Sequence, residues 1–426
     1  MAFDVFNGAT PASGDERYWD GEIPWVTPAD LGSNQGATIS GGSRSITQLG
    51  YESCGTQLVP PGSLILSIRA PIGHVAIADR PMSFNQGCRG LRPRSITDSR
   101  FGYWAVLARR ADLEAAGQGS TFMELGRLHL RAKTIPLPDL ATQKRIAAFL
   151  DRETARIDAL IEKKERLVEV LREREEALRD QLLKISTDEA VEDFERPWLS
   201  GYCGDWKVQR LSYYLKSSPC YGVLKPDNYE GTDAVPIIRI KDISDGELQL
   251  NDIVTISPIQ SQEYSRTILR AGDVVMSVVG TIGKIITVDE TAAGMNLTRA
   301  LARIQLSEGL SADFLKLVVG SRWFAEYVTI TTQGSAQKVL NMDDLRAWRI
   351  PIPPKAEQDR ICEMYREQSA SLVASRHKAS ASIDRLREYR SALITAAVTG
   401  QIDVDDYARR GGTDRRLDEI EEEMQT

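Results

Sequence analysis

The chain has 426 residues, of which 42% are hydrophobic and 27% charged, as is ordinary for a folded protein of two or three domains. No apolar run reaches the roughly 18 residues that a membrane helix needs. The first residues lack the basic start and apolar stretch of a secretory signal peptide. We therefore expect a cytoplasmic protein without a membrane segment. The net charge of −7 does not indicate a nucleic-acid binder, but all of it lies in residues 141–200 and 357–426.

Cysteine and histidine are too few and too scattered to build a metal centre. The five cysteines include no C-x-x-C pair, and their odd number argues against a disulfide framework. Only three histidines are present: His74, His129 and His377. We predict reduced cysteines that serve as small core residues, no metal site and no cofactor.

Two halves of the sequence match each other at an offset of about 210 to 215 residues, as a tandem repeat does. Residues 61–67 (PGSLILS) align with 271–277 (AGDVVMS), and Asn85 aligns approximately with Asn296. Residues 135–138 (IPLP) align with 350–353 (IPIP), and residues 143–146 (QKRI) align with 358–361 (QDRI). Many short matches in one order predict two copies of one fold.

Each repeat opens with a lobe of mixed structure. Residues 64–68 and 274–279 are short apolar runs that follow a glycine, a pattern typical of strands. Clusters of Gly, Pro, Asn and Ser predict many loops, whereas residues 100–116 and 313–328 have a more helical pattern. We predict an α+β lobe with a twisted, irregular sheet in each repeat.

Each repeat closes with a long helix. Residues 142–185 contain no proline or glycine. Every seventh position from 150 is Leu150, Ile157, Lys164, Leu171 and Leu178, and Leu160 and Leu167 fall at the intermediate spacing. The second helix runs from about Glu357 to Thr399 and carries Leu372, Leu386 and Leu393 at the same spacing. Both patterns predict coiled-coil helices.

The predicted domains follow from these elements. They are a first lobe (1–140), a first long helix (141–186), a linker (187–205), a second lobe (206–356), a second long helix (357–402) and a charged, flexible tail (403–426). The tail is expected to be mobile because it is rich in charge and contains two adjacent glycines.

The two repeats differ at their start. The second lobe opens with residues 204–211 (GDWKVQRL), and at the local offset Met1 aligns near Tyr213. The first lobe therefore lacks about ten residues that the second has. Two explanations stay open: the sequence begins too far downstream, or the first lobe is shorter.

No motif in the chain supports catalysis. The N-P-P-Y/F segment of an adenine methyltransferase is absent. Residues 280–284 (GTIGK) resemble a phosphate-binding loop, but Val278 stands at the required first glycine and Ile285 at the magnesium-binding hydroxyl. We predict a turn between strands there and no catalytic residues.

The repeated order of motifs resembles the specificity subunits of type I restriction-modification systems. The segments that carry the resemblance are 18–19 (YW) before 23–26 (IPWV), 62–65 (GSLI) with 72–73 (IG), 85–87 (NQG), 350–354 (IPIPP) before 357–358 (EQ), and 396–400 (AAVTG). Each motif alone is weak, but together they cover nearly the whole chain.

The resemblance implies a fold class and a set of partners. The fold would be α+β, with two tandem-repeated α+β target recognition domains separated by two long antiparallel coiled-coil helices. Each domain would read one half of a split, asymmetric site in double-stranded DNA. The helices would dock methyltransferase subunits, and restriction subunits would join that core. Methylation and cleavage would belong to those partners.

Base readout favours Arg, Lys, Asn and Gln in loops. The predicted DNA-binding residues are Arg69, Asn85, Gln86 and Arg89 in the first lobe and Lys284, Asn296, Arg299, Gln337 and Lys338 in the second. The residues predicted to mark the partner-docking helices are Leu150, Ile157, Leu160, Leu171, Leu372, Leu386 and Leu393. The alternatives are a coiled-coil scaffold that binds only protein, and a stand-alone nuclease or methyltransferase.

Overall fold

The computed structural model describes residues 2–116, 125–126, 130, 134–183, 199, 206–244, 246–333 and 338–423. The chain divides into two compact units, the first comprising Met1–Leu167 with Lys378–Thr426 and the second Val168–His377. Each unit contains one lobe together with one half of each long helix. The predicted linker lies outside the described residues except for Leu199, which is buried.

The described part of the first lobe contains two sheets and several short helices. The strands are β1 (Phe3–Asn7), β2 (Trp19–Val26), β3 (Thr38–Ile39), β4 (Arg44–Ile46), β5 (Leu64–Ser67), β6 (Val75–Ala78), β7 (Ser83–Phe84) and β8 (Cys88–Pro93). The helices are α1 (Pro28–Ser33), α2 (Gln48–Ser53), α3 (Ser99–Leu107) and α4 (Arg110–Ala115). The larger sheet has the order β1-β8-β5-β6-β3, and the smaller has the order β4-β2-β7. All four residues of β5 are buried, which explains its continuous apolar sequence.

The second lobe repeats this arrangement. Its strands are β9 (Lys207–Arg210), β10 (Cys220–Tyr221), β11 (Val235–Ile238), β12 (Ile243–Ser244), β13 (Glu247–Leu248), β14 (Val254–Ile256), β15 (Val274–Ser277), β16 (Ile285–Thr287), β17 (Asn296–Leu297), β18 (Leu301–Ile304) and β19 (Arg349–Ile352). Its helices are α6 (Pro258–Glu263), α7 (Ala312–Val319), α8 (Arg322–Thr331) and α9 (Met342–Ala347). The order β10-β18-β15-β16 mirrors β1-β8-β5-β6, and β14-β11-β17 mirrors β4-β2-β7.

Strand pairing fixes which residues of the two lobes are equivalent, and it corrects one sequence match. Ser83 pairs with Trp25 in the first lobe, and Asn296 pairs with Ile237 in the second. Asn296 is therefore the counterpart of Ser83, and the match of Asn85 with Asn296 is wrong. The connection before β17 (residues 288–295) is longer than that before β7 (residues 79–82), so the offset between the repeats changes there.

The long helices are α5 (Leu140–Leu182) and α10 (Lys355–Thr399). In the first unit Asp158 bonds to Arg390 at 2.7 Å and Glu165 to Arg387 at 2.9 Å. As the residue numbers rise along α5, those of their partners on α10 fall. The two helices therefore run antiparallel there. In the second unit Glu175 lies 3.0 Å from Arg376, and Arg179 lies 3.0 Å from Tyr365, in the same antiparallel sense. The predicted fold class is confirmed.

A repeated glutamine ties each long helix to its lobe. Gln143 is fully buried; its Oε1 accepts from the Asp98 backbone at 2.8 Å and its Nε2 donates to the Pro138 carbonyl at 2.7 Å. Gln358 repeats both contacts with Ser311 and the Pro353 carbonyl, each at 3.0 Å. These bonds give the Gln motif of the repeat a structural role.

The tail is ordered, contrary to the sequence prediction. Its described residues form α11 (Val404–Arg409) and α12 (Gly412–Glu423). Val404 and Ile420 are buried, and the hydroxyls of Tyr407 and Tyr389 lie 3.0 Å apart. Apolar residues at helical spacing within the charged sequence form a face that packs against the rest of the unit. The overall composition of the tail does not reveal this face.

Charge explains why an acidic tail packs against α5. Asp414 bonds to Arg156, and Glu421 lies 3.6 Å from Lys164. The basic side chains of α5 therefore attract the acidic tail within the first unit.

Candidate nucleic-acid interface

Three chain segments lie side by side at the carboxyl end of β5. The Ile68 backbone N–H donates to the Gly87 carbonyl at 2.8 Å, and the Leu125 N–H donates to the Ile68 carbonyl at 2.8 Å. Residues 68–70, 85–87 and 125 form what we call the first edge. Because its backbone groups are paired across segments, it is a fixed platform rather than a set of independent loops.

The second lobe has the same platform at the carboxyl end of β15. Val278 N–H donates to the Ala300 carbonyl at 2.9 Å, and Leu340 N–H donates to the Val278 carbonyl at 2.9 Å. Gly280 N–H also donates to the Lys338 carbonyl at 2.9 Å. Residues 278–280, 298–300 and 338–340 form the second edge.

A serine hydroxyl shapes the turn that follows each central strand. Ser277 Oγ donates to the Thr281 carbonyl at 2.6 Å and accepts from the Lys284 backbone at 2.9 Å. Ser67 Oγ makes the same two bonds to Pro71 and His74, at 2.6 and 2.9 Å. Residues 280–284 thus form a hydroxyl-braced turn between strands, as the sequence predicts.

A fourth segment passes behind each edge, and sequence analysis missed it. A Cβ atom added to Gly8 would lie 2.0 Å from the Asn85 carbonyl oxygen. A Cβ atom added to Gly222 would lie 2.0 Å from the Leu297 carbonyl oxygen. Only glycine permits this backbone approach in either lobe. The residues that follow each glycine, 9–10 and 223–224, are therefore held next to the edge.

Gln86 and Asn85 have different roles in the first edge. Asn85 is half-buried, and its Oδ1 accepts from the Gly87 backbone at 2.9 Å, so it shapes the turn. Gln86 is exposed at the tip, and its Oε1 accepts a hydrogen bond from the Thr10 hydroxyl. Its amide group is thereby oriented while its surface remains open.

Two arginines flank Gln86. Arg89 is half-buried, and its Nη1 donates to the Gln86 carbonyl at 3.2 Å and to the Cys88 carbonyl at 2.8 Å. Arg69 is half-buried on the adjacent segment, where its backbone N–H lies 3.3 Å from the Gly87 carbonyl. The structure therefore places three of the four predicted residues of the first lobe on the first edge, with Arg89 directly beside it on β8.

The predicted residues of the second lobe separate into two groups. Arg299 and Lys338 are exposed on the second edge. Lys284 Nζ donates to the Ile243 carbonyl at 2.7 Å, so its charge is used within the lobe. Asn296 is fully buried, and its Oδ1 accepts from Thr267 at 2.6 Å. Gln337 lies outside the described residues.

Arg299 and Gln86 occupy equivalent places. Each directly precedes the residue whose carbonyl accepts from the central strand, Ala300 in the second lobe and Gly87 in the first. Both side chains are exposed. The two lobes thus present different hydrogen-bonding groups on the same backbone platform.

The electrostatic environment beneath the first edge keeps His74 neutral. Burial lowers the pKa of His74, and the nearby Arg110 guanidinium lowers it further. Arg110 Nη2 lies 2.9 Å from His74 Nε2. The neutral imidazole accepts a hydrogen bond from Arg110. His74 therefore has a structural role and adds no positive charge that could contact a phosphate.

The residues predicted to mark the docking helices stabilise the chain itself. Most are buried (Leu150, Ile157, Leu171, Leu386 and Leu393), whereas Leu160 and Leu372 are half-buried. Two other apolar residues of α5, Leu167 and Val170, are 47% and 44% exposed.

Within the residues that the structure describes, no helix combines the length and apolar character that a membrane crossing requires. Nor do three or more His, Cys, Asp or Glu side chains come together there as a metal-binding group.

Comparisons with known proteins agree with the repeated architecture. The family model of the type I restriction modification DNA specificity domain matches residues 3–170 and 205–367. The type I restriction enzyme MjaIX specificity subunit of Methanocaldococcus jannaschii is 26% identical over 416 residues, covering 95% of this chain and 92% of that protein. The EcoBI specificity subunit of Escherichia coli is 26% identical over 354 residues, covering 81% of this chain and 74% of that protein.

A solved structure shares the fold. It comes from work described as the structural basis underlying complex assembly and conformational transition of the type I R-M system. It superposes with a TM-score of 0.54 at 15% identity and covers 94% of this chain and 98% of its own.

Proposed function

The chain belongs to the family of type I restriction-modification specificity subunits, and on this basis we propose that each of its two lobes reads one half of a bipartite, asymmetric DNA site. Proteins of this kind are non-catalytic DNA-recognition components. The first and second edges are the proposed reading surfaces. The proposed ligand is double-stranded DNA, and the proposed location is the cytoplasm.

One observation carries the proposal: the same backbone platform occurs twice with different exposed side chains. Gln86 stands on the first edge where Arg299 stands on the second. A side-chain amide and a guanidinium suit different bases, because Gln pairs with adenine and Arg with guanine in the major groove. Two copies of one platform with different groups would read two different half-sites.

The charge distribution supports an assembly rather than a lone binder. Phosphate contacts by Lys and Arg supply most of the affinity of DNA-binding proteins. Both lobes are neutral by sequence, and the negative charge of the chain lies in the helical regions. We infer that partner subunits supply much of the positive surface that holds the DNA.

The long helices are the proposed docking site for methyltransferase subunits, with restriction subunits joining through that core. Buried leucines are used within the chain, so the docking surface is the exposed face of the helices.

A lobe exchange tests the proposal. Residues 206–350 are replaced by the matching lobe of a relative, the complex is reconstituted with its methyltransferase subunits, and methylated sites are mapped on DNA. We expect one half-site to change and the other to persist. A change in both halves, or in neither, would contradict independent reading by two lobes.

A second experiment separates this function from an enzyme acting alone. The purified chain is incubated with DNA and a labelled methyl donor, and separately with DNA and Mg²⁺. We expect neither methyl transfer nor cleavage. Transfer by the chain without a partner subunit would overturn the proposal.

A further inference from the structure

We propose that Leu224 helps to select the second half-site by contacting the C5-methyl group of a thymine, in the base pair next to the guanine that Arg299 contacts. Leu224 follows Gly222 in the fourth segment, which is held next to the second edge. Its side chain is 61% exposed. The inference rests on the proposed function and adds an apolar contact to the hydrogen-bonding contact proposed for the same edge.

Backbone hydrogen bonds hold Leu224 alongside Arg299. The Val223 N–H donates to the Leu297 carbonyl at 2.6 Å, and the Arg299 N–H donates to the Val223 carbonyl at 2.9 Å. Val223 and Thr298 thereby form a parallel bridge. Segments paired in this way lie about 4.8 Å apart. Leu224 is therefore the neighbour of Arg299 across the two segments.

The alternation of buried and exposed side chains shows that both residues face outward. Val223 is fully buried and Thr298 is half-buried, whereas Leu224 and Arg299 are exposed. Successive side chains of an extended segment point to opposite faces, so Leu224 shares the outer face with Arg299. Stacked base pairs are about 3.4 Å apart, close to the spacing of the two segments. The two side chains are thus spaced to reach adjacent base pairs.

The first lobe shows that side chains at these two positions come into contact. Thr10 stands two residues after Gly8, as Leu224 stands two residues after Gly222, so the two residues are equivalent. The Thr10 hydroxyl donates a hydrogen bond to Gln86 Oε1. In the first lobe this position orients the neighbouring amide. A leucine forms no hydrogen bond, so in the second lobe the same position offers apolar surface instead.

The chemistry of the major groove indicates what this apolar surface contacts. Thymine presents its C5-methyl group there, and apolar side chains recognise it by contact. Burying a methyl group against Leu224 removes apolar surface from water on both sides, which is favourable. Arg299 reads guanine through hydrogen bonds to O6 and N7. The pair therefore fits a guanine with a neighbouring thymine.

Deoxyuridine lacks only the C5-methyl group of thymidine, so it tests this contact directly. The wild-type chain is assembled with its methyltransferase subunits, and the half-site that depends on the second lobe is mapped by methylation. Each thymine of that half-site, on either strand, is then replaced in turn by deoxyuridine. The dissociation constant of each duplex is measured by competition for the wild type and for Leu224→Ala, Leu224→Met and Ile259→Ala.

Two of these variants are matched controls. Leu224→Met keeps an apolar side chain of similar volume. Ile259→Ala truncates an aliphatic residue that is 77% exposed, on helix α6 directly after β14. β17 is parallel to β11 and leads into the second edge, whereas β14 is antiparallel to β11, so Ile259 lies at the opposite end of this sheet.

We expect one deoxyuridine substitution to weaken binding by the wild type about fourfold, as the loss of one buried methyl group does. Leu224→Ala should remove this effect, whereas Leu224→Met and Ile259→Ala should keep it. A half-site without a sensitive thymine, or an effect that persists unchanged in Leu224→Ala, would overturn the inference. If Arg299→Gln relaxes the same half-site while Leu224→Ala changes nothing, only this inference fails. If neither variant changes the readout, the second edge fails as a reading surface as well.

Discussion

The two lobes share one reading platform and differ in how their cores are closed. In both, a central buried strand ends in a braced turn, and a glycine admits a fourth segment behind the edge. In the second lobe β9 pairs with β19 over the core, and the described part of the first unit shows no counterpart of this pair. The comparison shows that the same contacts at the end of the central strand build the edge in both lobes.

The largest predicted effect tests that difference in closure. Trp206→Ala removes a buried indole, a change that typically costs about 3–5 kcal/mol. Hydrogen exchange should increase throughout the second lobe while the first unit keeps its protection, since Trp206 packs within the core of the second lobe. Equal loss of protection in both units would show that the lobes do not have separate cores.

The second prediction compares the two halves of the helix pair. The Glu175 and Arg376 side chains are 11% and 9% exposed, whereas the Glu165–Arg387 pair is largely exposed. Glu175→Gln removes the carboxylate from a buried ion pair and should cost up to about 3–5 kcal/mol. Glu165→Gln, the matched control, should cost about 0–1 kcal/mol in denaturant unfolding. Similar costs for both would mean that burial does not distinguish the two halves.

The third prediction tests whether the edges are equivalent. Gly8→Ala and Gly222→Ala each place a methyl group against a carbonyl oxygen, and overpacking of this kind costs about 1–3 kcal/mol. Each variant should also weaken methylation that depends on its own half-site. Gly14→Ala is the control, because a Cβ there meets nothing within 4 Å. If either Gly8→Ala or Gly222→Ala left stability and methylation unchanged, the two edges would not be equivalent.

The smallest predicted effect concerns base preference. If Arg299 contacts a guanine, Arg299→Gln should lose about 1–3 kcal/mol of discrimination at one base pair. Arg270→Gln is the matched control, because Arg270 is also exposed but precedes β15 at its opposite end. Mapped methylation sites should relax at one position for the first variant and stay unchanged for the second. Relaxed specificity in both variants would contradict the proposal that the second edge reads bases.

The sequence predicted the architecture better than the site. Periodicity and the absence of proline and glycine located α5 and α10, because a long helix depends on local pattern. The tail helices were missed because Val404 and Ile420 are few among charged residues, and their packing partners lie far away in sequence.

The site was predicted in part because its residues lie in matched motifs. Gln86 and Arg299 were identified as polar loop residues, but their equivalence depends on strand register, which a longer connection before β17 obscures. Asn296 was predicted to contact DNA because its residue type suits base readout. Its burial beneath Ser261 and Thr267 could be known only from tertiary packing. Gly8 and Gly222 occupy the same place in the two repeats. This repeated glycine could have predicted the close backbone approach from the sequence.

Site-specific photo-crosslinking to DNA tests the central claim most directly. A photoreactive residue is placed at position 86 or 299 on the two edges, and at position 60 or 270 at the opposite ends of β5 and β15. Each protein is assembled with its methyltransferase subunits and irradiated on DNA that carries the methylated site. We predict crosslinks from 86 to one half-site and from 299 to the other, with none from 60 or 270. Crosslinks from the opposite ends, with none from the edges, would contradict the account.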